Sequence, residues 1–306
     1  MYNKEFFEKI NEIKNKKNLE IISYYNVIPE IQNVSDAIGG FRFLFEYCKK
    51  TNKNVFFYCG PDYIINLISC LLPTKIFFKS MEIGECNLND YISQIEFKEL
   101  LRLFPLAKVA AYYKSPARIL ISAHYIMDDC NIKTTIKQID SKQIIVTPDY
   151  NVGSYSQNFI TTEQEIIVPH GFCQPLYNIE LQDVNQIRVK HPEASIIIHP
   201  ESNYHLQEKA SEIMGYDIAY EYLSKADKGK SFIPCYNNNF INKIKNDFPH
   251  LTFFKPSSNL KCVIAQTITQ DYLLTQIEKL NYKVEIPEEY ESIIEKKLRQ
   301  SLKLRD

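Results

Sequence analysis

Short apolar, β-branched and aromatic runs alternate along this chain with longer stretches whose apolar residues recur at helical spacing. That alternation predicts βαβ units and parallel sheets. The strand candidates fall into three sets. The first comprises EIISYY (20–25), KVAAYY (108–113) and SIIIHPE (195–201); the second comprises VFFYCG (55–60), IIVTPD (144–149) and SFIPC (231–235). The third is the apolar run ahead of each of three cysteines, Cys86, Cys173 and Cys262, which stand 87 and 89 residues apart. From the strand centres Ser23, Ala111 and Ile198 to those cysteines the chain runs 63, 62 and 64 residues. From Phe57, Val146 and Ile233 it runs 29, 27 and 29. Offsets that agree this closely read as three copies of one unit of about 85–90 residues. Stretches such as VSDAIGGFRFLFEYCKK (34–50) and NFINKIKNDF (239–248) supply helices between the strands.

The expected fold class is α/β: three similar βαβαβ domains with parallel sheets, arranged with pseudo-threefold symmetry around a central site. The first repeat is expected over 1–104, the second over 105–190 and the third over 191–269. The charged C-terminal segment 270–306 is expected as an amphipathic helix packing on the first repeat.

Composition narrows the class. With 36 basic and 37 acidic residues the net charge is −1, so no global field argues for nucleic acid or a membrane surface. The start is charged and helix-periodic, with no apolar core of a signal peptide, and no run approaches a membrane span. A cytoplasmic location is expected, with the eight cysteines as thiols. No CxxC pair occurs, which argues against a zinc ribbon or an ordinary ferredoxin cluster. Cys48, Cys59 and Cys70 read as small buried hydrophobes.

In parallel α/β sheets the carboxyl ends of the strands face the binding crevice. Polar chemistry gathers at those ends: Tyr24, Tyr25 and Asn26; Tyr112, Lys114 and Ser115; His199, Glu201 and Ser202. After the second strands come Asp62, Asp149, Asn151 and Tyr236. Three thiolates meeting at one axis would suit zinc or an iron–sulfur centre, and the alternative is three unrelated core thiols. A [4Fe-4S] cube held by three cysteines leaves one iron open as a Lewis acid.

These residues resemble the quinolinate synthase family over about residues 20–275. PEIQNVSDAIGG is similar to the family's P-E-[IV]-Q-D-V-A-D-x-[VI]-G-D, and GECNLND to A-G-C-S-[LM]-A-D. TPDYNVG resembles P-D-[KR]-N-L-G, PHGFC resembles W-P-G-F-C, and KHPEASIIIHPES resembles H-P-[DE]-A…A-H-P-E-C. The resemblance implies a triangular three-domain enzyme that condenses iminoaspartate with dihydroxyacetone phosphate. It also implies that Cys86, Cys173 and Cys262 hold a [4Fe-4S] cluster, and that Tyr112, Asn131, His199 and Glu201 are kept site positions.

Other positions depart from the family. Ser23 stands where the family has a substrate-binding histidine, Phe41 replaces a substrate-contacting serine, and Lys114 replaces an asparagine. Tyr216 and Asp217 replace small hydroxyls, and Leu176 a histidine. Filling volume and adding a carboxylate both oppose an anionic ligand.

The reading that follows is a cytoplasmic [4Fe-4S] transferase or lyase of quinolinate synthase type. Its open iron would act on a small carboxylated or hydroxylated metabolite, in dehydration, condensation or ring formation, with a substrate different from the family's. His199, Glu201, Tyr112 and Lys114 are the catalytic candidates; Ser23, Tyr25, Asn131, Tyr216 and Asp217 the substrate-binding ones. Partners are a small carboxylated substrate, with no nucleic acid and no membrane; a homodimer is compatible with it. Three alternatives stand beside it: genuine quinolinate synthesis, iron–sulfur-dependent sulfur transfer, and a non-catalytic cluster-binding or redox-sensing protein.

Overall fold

The computed structural model describes residues 4–81, 84, 86–256 and 260–306. Among these, twelve strands form three four-stranded sheets in which every pairing is parallel. The first sheet holds β1 (Glu20–Tyr24), β2 (Ala37–Gly39), β3 (Val55–Cys59) and β4 (Ile76–Lys79). The second holds β5 (Lys108–Tyr112), β6 (Tyr125–Met127), β7 (Gln143–Thr147) and β8 (Glu165–Ile167). The third holds β9 (Ser195–Ile198), β10 (Glu212–Ile213), β11 (Ser231–Cys235) and β12 (Thr252–Phe253).

Each sheet has the same spatial order, with the second strand outside the first and the third and fourth on its other side. The fold class read from the sequence is thereby met, with one strand more per repeat. The central strands are buried on both faces along nearly their whole length, which is why they read as continuous apolar runs. The order places a topological switch between the first and third strands of every sheet. The loops leaving those two strands therefore flank a crevice at the carboxyl edge.

The extra strands β2, β6 and β10 are two or three residues long. The first of them corrects the helix expected over 34–50. Residues Ala37–Gly39 are strand, and the helix runs from Phe41 to Lys50. Gly40, at its N-cap, is extended, and the Phe43 ring lies so close over Gly39 that a Cβ there would come within 2.2 Å of it. The glycine pair thus turns strand into helix without a connecting loop.

The repeats match down to single hydrogen bonds. Just before each extra strand a side chain accepts the N–H of the first strand's second residue. Asp36 accepts from Ile21 (2.8 Å), His124 from Val109 (3.1 Å) and Ser211 from Ile196 (3.0 Å). The same three residues return their own N–H to the carbonyls of Ile21, Val109 and Ile196. Carboxylate, imidazole and hydroxyl perform one task.

The chain divides into two compact units: residues 1–86 with 261–295, and residues 87–260 with 296–306. In the first unit the helices Lys4–Lys17 and Gln270–Lys279 share a core through Phe6, Ile10, Leu273 and Ile277. Residues 282–284 run antiparallel along β4, with Lys79 N–H on Tyr282 O and Val284 N–H on Phe77 O, and so cover that sheet edge. The second unit holds the second and third sheets. The helix Gln94–Leu103, expected in the first repeat, also belongs there, as does the backbone carbonyl of Ile92, which accepts from Arg118 (2.9 Å).

The C-terminal segment likewise differs from the expectation. It is two helices, Gln270–Lys279 and Glu288–Ser301, and residues 296–306 join the second unit. Lys297 donates to Ile121 O (2.7 Å), and the Asp306 carboxylate accepts from Lys133 N–H (2.9 Å) and Thr134 N–H (2.6 Å). Asp306 thereby caps the helix Ile132–Lys137, whose own N-cap residue, Asn131, makes no capping bond. No helix among the described residues is long and apolar enough to cross a membrane.

Candidate functional site

In the second unit, the loops after β5, β6 and β9 bring five polar side chains together. Strand β5 ends at Tyr112, so Tyr113 and Lys114 follow at the carboxyl edge. Strand β9 ends at Ile198, and His199-Pro200-Glu201 turns away from it. Both tyrosine hydroxyls donate to the carboxylate of Asp129, Tyr113 at 3.0 Å. Their rings meet edge to face with centroids 4.9 Å apart. The Lys114 ammonium lies 5.7 and 5.6 Å from the two ring centroids and 2.5 Å from Glu201 Oε1.

Histidine 199 is fully buried between two carboxylates. Its Nδ1 accepts the backbone N–H of Glu201 (3.2 Å), which leaves Nε2 to carry the proton, facing Asp129 Oδ2 at 3.4 Å. Tyr216 packs on this imidazole with centroids 4.8 Å apart. Burial opposes the charge on Asp129. His199, Lys114 and the Tyr112 hydroxyl overcome it and hold the carboxyl well below the ordinary range.

Glu201 is 0% exposed and neither of its oxygens accepts a well-formed hydrogen bond among the described residues, so its charge is balanced by Lys114. Its loop is pinned by Gln207, whose amide donates to Pro200 O, Ser202 O and Asn151 O at 2.9–3.0 Å. The Asn151 amide donates to Glu201 O (3.2 Å). At the same carboxyl edge Asn151 Oδ1, Ser202 Oγ and Thr147 Oγ1 are buried with no hydrogen-bond partner among the described residues. Buried polar atoms left this way mark places where a ligand can complete the network.

Asp129, His199 and Glu201 each offer a ligand atom, all within 4.8 Å of one another. That spacing would admit a divalent cation, but the Lys114 ammonium already stands against Glu201 and supplies the positive charge.

The sequence candidates divide between the two units. Tyr112, Lys114, His199, Glu201 and Tyr216 meet in the second. Asp217 is half-buried in the first turn of the helix Tyr216–Ser224, one residue beyond the ring that covers His199. Asn131 is buried, and its amide is committed: Nδ2 donates to Ser301 O (2.9 Å) and Ser301 Oγ (2.8 Å), and Oδ1 accepts from Asp128 N–H (2.8 Å). It ties the C-terminal segment to the second repeat. Ser23 and Tyr25 lie in the first unit, both buried. Ser23 Oγ is 2.5 Å from Ser35 Oγ, and the Tyr25 carbonyl accepts from Gln32.

Asp129 and Tyr113 were missed by the sequence reading. The available signal was the acidic pair Asp128-Asp129 straight after the apolar triplet 125–127, a pattern hidden while that triplet was not recognised as a strand.

The eight cysteines, all thiols, separate cleanly. Cys48, Cys59, Cys70, Cys130 and Cys235 are buried; Cys86, Cys173 and Cys262 are partly exposed. Burial pushes the thiols of Cys48, Cys59, Cys70 and Cys235 up to about 12, where thiolate chemistry is shut off. Each of the three partly exposed cysteines stands at the mouth of a helical turn: Cys86 before Asn87–Tyr91, Cys173 at the N-cap of Gln174–Tyr177, Cys262 at the N-cap of Val263–Thr267. Cys86 and Cys262 belong to the first unit and Cys173 to the second.

The family described as quinolinate synthetase A protein matches residues 8–303. The chain is 28% identical to a quinolinate synthase of Sulfurihydrogenibium sp., over 94% of this chain and 95% of the relative. It is 24% identical to the quinolinate synthase of Clostridioides difficile, over 98% and 97%. To quinolinate synthase 1 of Methanosarcina acetivorans it is 26% identical, over 94% of both.

Proposed function

Because the chain belongs to the quinolinate synthetase A family, we propose that it is a [4Fe-4S]-dependent biosynthetic enzyme of that type, acting on a substrate with fewer negative charges than the family's own. Cys86, Cys173 and Cys262 would hold the cluster. The donor set fits: three partly exposed thiols at matching places in three repeats, against five that are buried. When bound through three cysteines, such a cluster supplies a Lewis-acidic iron for a carboxylate or hydroxyl oxygen.

The observation that carries the substrate reading is the charge balance around His199. Two carboxylates, Asp129 and Glu201, face one ammonium, Lys114. Even counting the imidazole as a cation the group has no cationic surplus, so a phosphate or a second substrate carboxylate would be placed there at a cost. The orphaned Asn151 Oδ1 and Ser202 Oγ instead accept hydrogen bonds from a hydroxyl or amine. Each side chain then has a task. His199 holds a proton on Nε2 next to Asp129, the geometry of a general acid–base pair. Tyr112 and Tyr113 orient Asp129 through their hydroxyls, and Lys114 fixes Glu201.

A second reading is quinolinate synthesis itself. The full-length match to relatives of that name favours it, together with the retention of Tyr112, His199 and Glu201. The deciding experiment supplies anaerobically reconstituted chain with iminoaspartate and dihydroxyacetone phosphate. The proposal expects no quinolinate above the protein-free blank. Quinolinate formed in repeated turnovers, and lost in His199→Ala, would establish the second reading in its place.

A further inference from the structure

One contact repeats in all three copies and serves no purpose in the chemistry above. Three residues past the end of the third strand of each repeat, a backbone N–H donates to the carbonyl two residues ahead of the cysteine. Asp62 N–H reaches Gly84 O (2.8 Å), Tyr150 N–H reaches Gly171 O (2.6 Å) and Asn238 N–H reaches Leu260 O (2.8 Å). The contact follows the repeat, and it ends at the partly exposed thiols.

In two copies a carboxylate doubles the clasp. Asp62 Oδ2 accepts Gly84 N–H (3.1 Å) and is itself braced by the Lys79 ammonium (2.7 Å). Asp149 Oδ2 accepts the N–H of Cys173 itself (3.0 Å), while its other oxygen caps the helix Tyr150–Ser156 through Asn151 N–H (2.8 Å) and Val152 N–H (3.0 Å). The glycines show how closely the loops are drawn in. A Cβ on Gly84 would stand 2.4 Å from Asp62 Oδ1, and one on Gly171 would stand 2.2 Å from Pro148 O. The third copy has no glycine at this place; Leu260, 2% exposed, is anchored in the apolar core instead.

We infer that Asp62 and Asp149 are positioning residues that set the backbone of the Cys86 and Cys173 loops so that those thiols are pre-placed for a metal centre. The inference rests on the reading of these cysteines as cluster ligands. Outer groups of this kind typically change metal retention by about 10–100-fold when removed.

The test uses the full chain, reconstituted with iron and sulfide without oxygen, and follows iron release to a chelator by absorbance. Asp149→Asn keeps one oxygen for the helix cap and loses the acceptor for Cys173 N–H; Asp62→Ala removes the acceptor for Gly84 N–H. Both are expected to release iron on the order of ten times faster than the parent. Their iron-free melting should stay near the parent's. Ser211→Ala, which removes the acceptor for Ile196 N–H near the amino end of β9, lowers melting and leaves iron release unchanged. A loaded parent with both the Asp149→Asn and Asp62→Ala variants releasing iron at its rate overturns the clasp while leaving the cluster reading intact. A parent that takes up no iron sinks the cluster reading first, and the clasp with it.

Discussion

At the scale of single residues the second unit concentrates its cost and its chemistry in one place. Lys114 and Glu201 are 5% and 0% exposed in their side chains, so each charge relies on the other. Replacing Lys114 by Met leaves a bare buried carboxylate and should destabilise the chain by about 3–5 kcal/mol. Adding Glu201→Met to the same chain should recover most of that loss, as urea unfolding of both variants will show. Equal losses in the single and double variants would mean that the pair is not a charge partnership.

Asp129 makes a separate prediction in pH. Its folded pKa lies below the unfolded value of about 3.9, so its contribution is present above that value and lost as pH falls towards the folded one. The stability difference between parent and Asp129→Asn should therefore hold level from pH 8 to 5. Below roughly pH 4 it should shrink, by up to about 1.4 kcal/mol per pH unit. A difference that grows on acidification would contradict the assignment of His199, Lys114 and Tyr112 as the groups that keep Asp129 ionised. Neither residue pair could be read from the chain alone. Lys114 and Glu201 were each visible as candidates; their pairing was not, because they lie 87 residues apart and on different sheets.

At the scale of elements, what the sequence showed and what it hid follow from length and from position. The first and third strands of every sheet are buried runs of four or five residues that stand out, and the fourth strands, β8 and β12 no longer than three residues, were found by their place ahead of the repeated cysteines. β2, β6 and β10, of two or three residues and with no such marker, leave no period to detect and were absorbed into neighbouring segments. Losing β6 also hid Asp129, since the functional reading searched only the ends of recognised strands. The matched acceptors Asp36, His124 and Ser211 were hidden for a different reason. Their equivalence lies in position and not in chemical type, so no comparison of letters finds it. The cysteines were legible because here position and type agree. For Asn131 the letter matches a family position, and the structure adds what the letter could not show, that its amide is engaged by Ser301 and Asp128.

At the scale of the whole molecule, the last residues of the chain serve a repeat far from them in sequence. Residues 261–295 complete the first unit, yet 296–306 complete the second. The helix Ile132–Lys137 begins at an asparagine turned towards Ser301, so its first N–H groups fall to the side chain of the terminal residue, Asp306. Asp306 N–H in turn donates to Cys130 O (2.8 Å). A helix of six residues cannot hold itself in water, and a cap contributes about 0.5–2 kcal/mol. Asp306→Ala should therefore cost about 1 kcal/mol and speed amide exchange first at Lys133 and Thr134. Removing 296–306 altogether should spread that exchange through 128–137, because the Asn131 and Lys297 bonds go with it. Protection in 128–137 that survives the deletion would show that the second repeat closes this helix unaided. Faster exchange would show that the chain's end, which as a bare sequence looks like a charged tail, keeps in place the strand-to-helix turn from which Asp129 reaches His199.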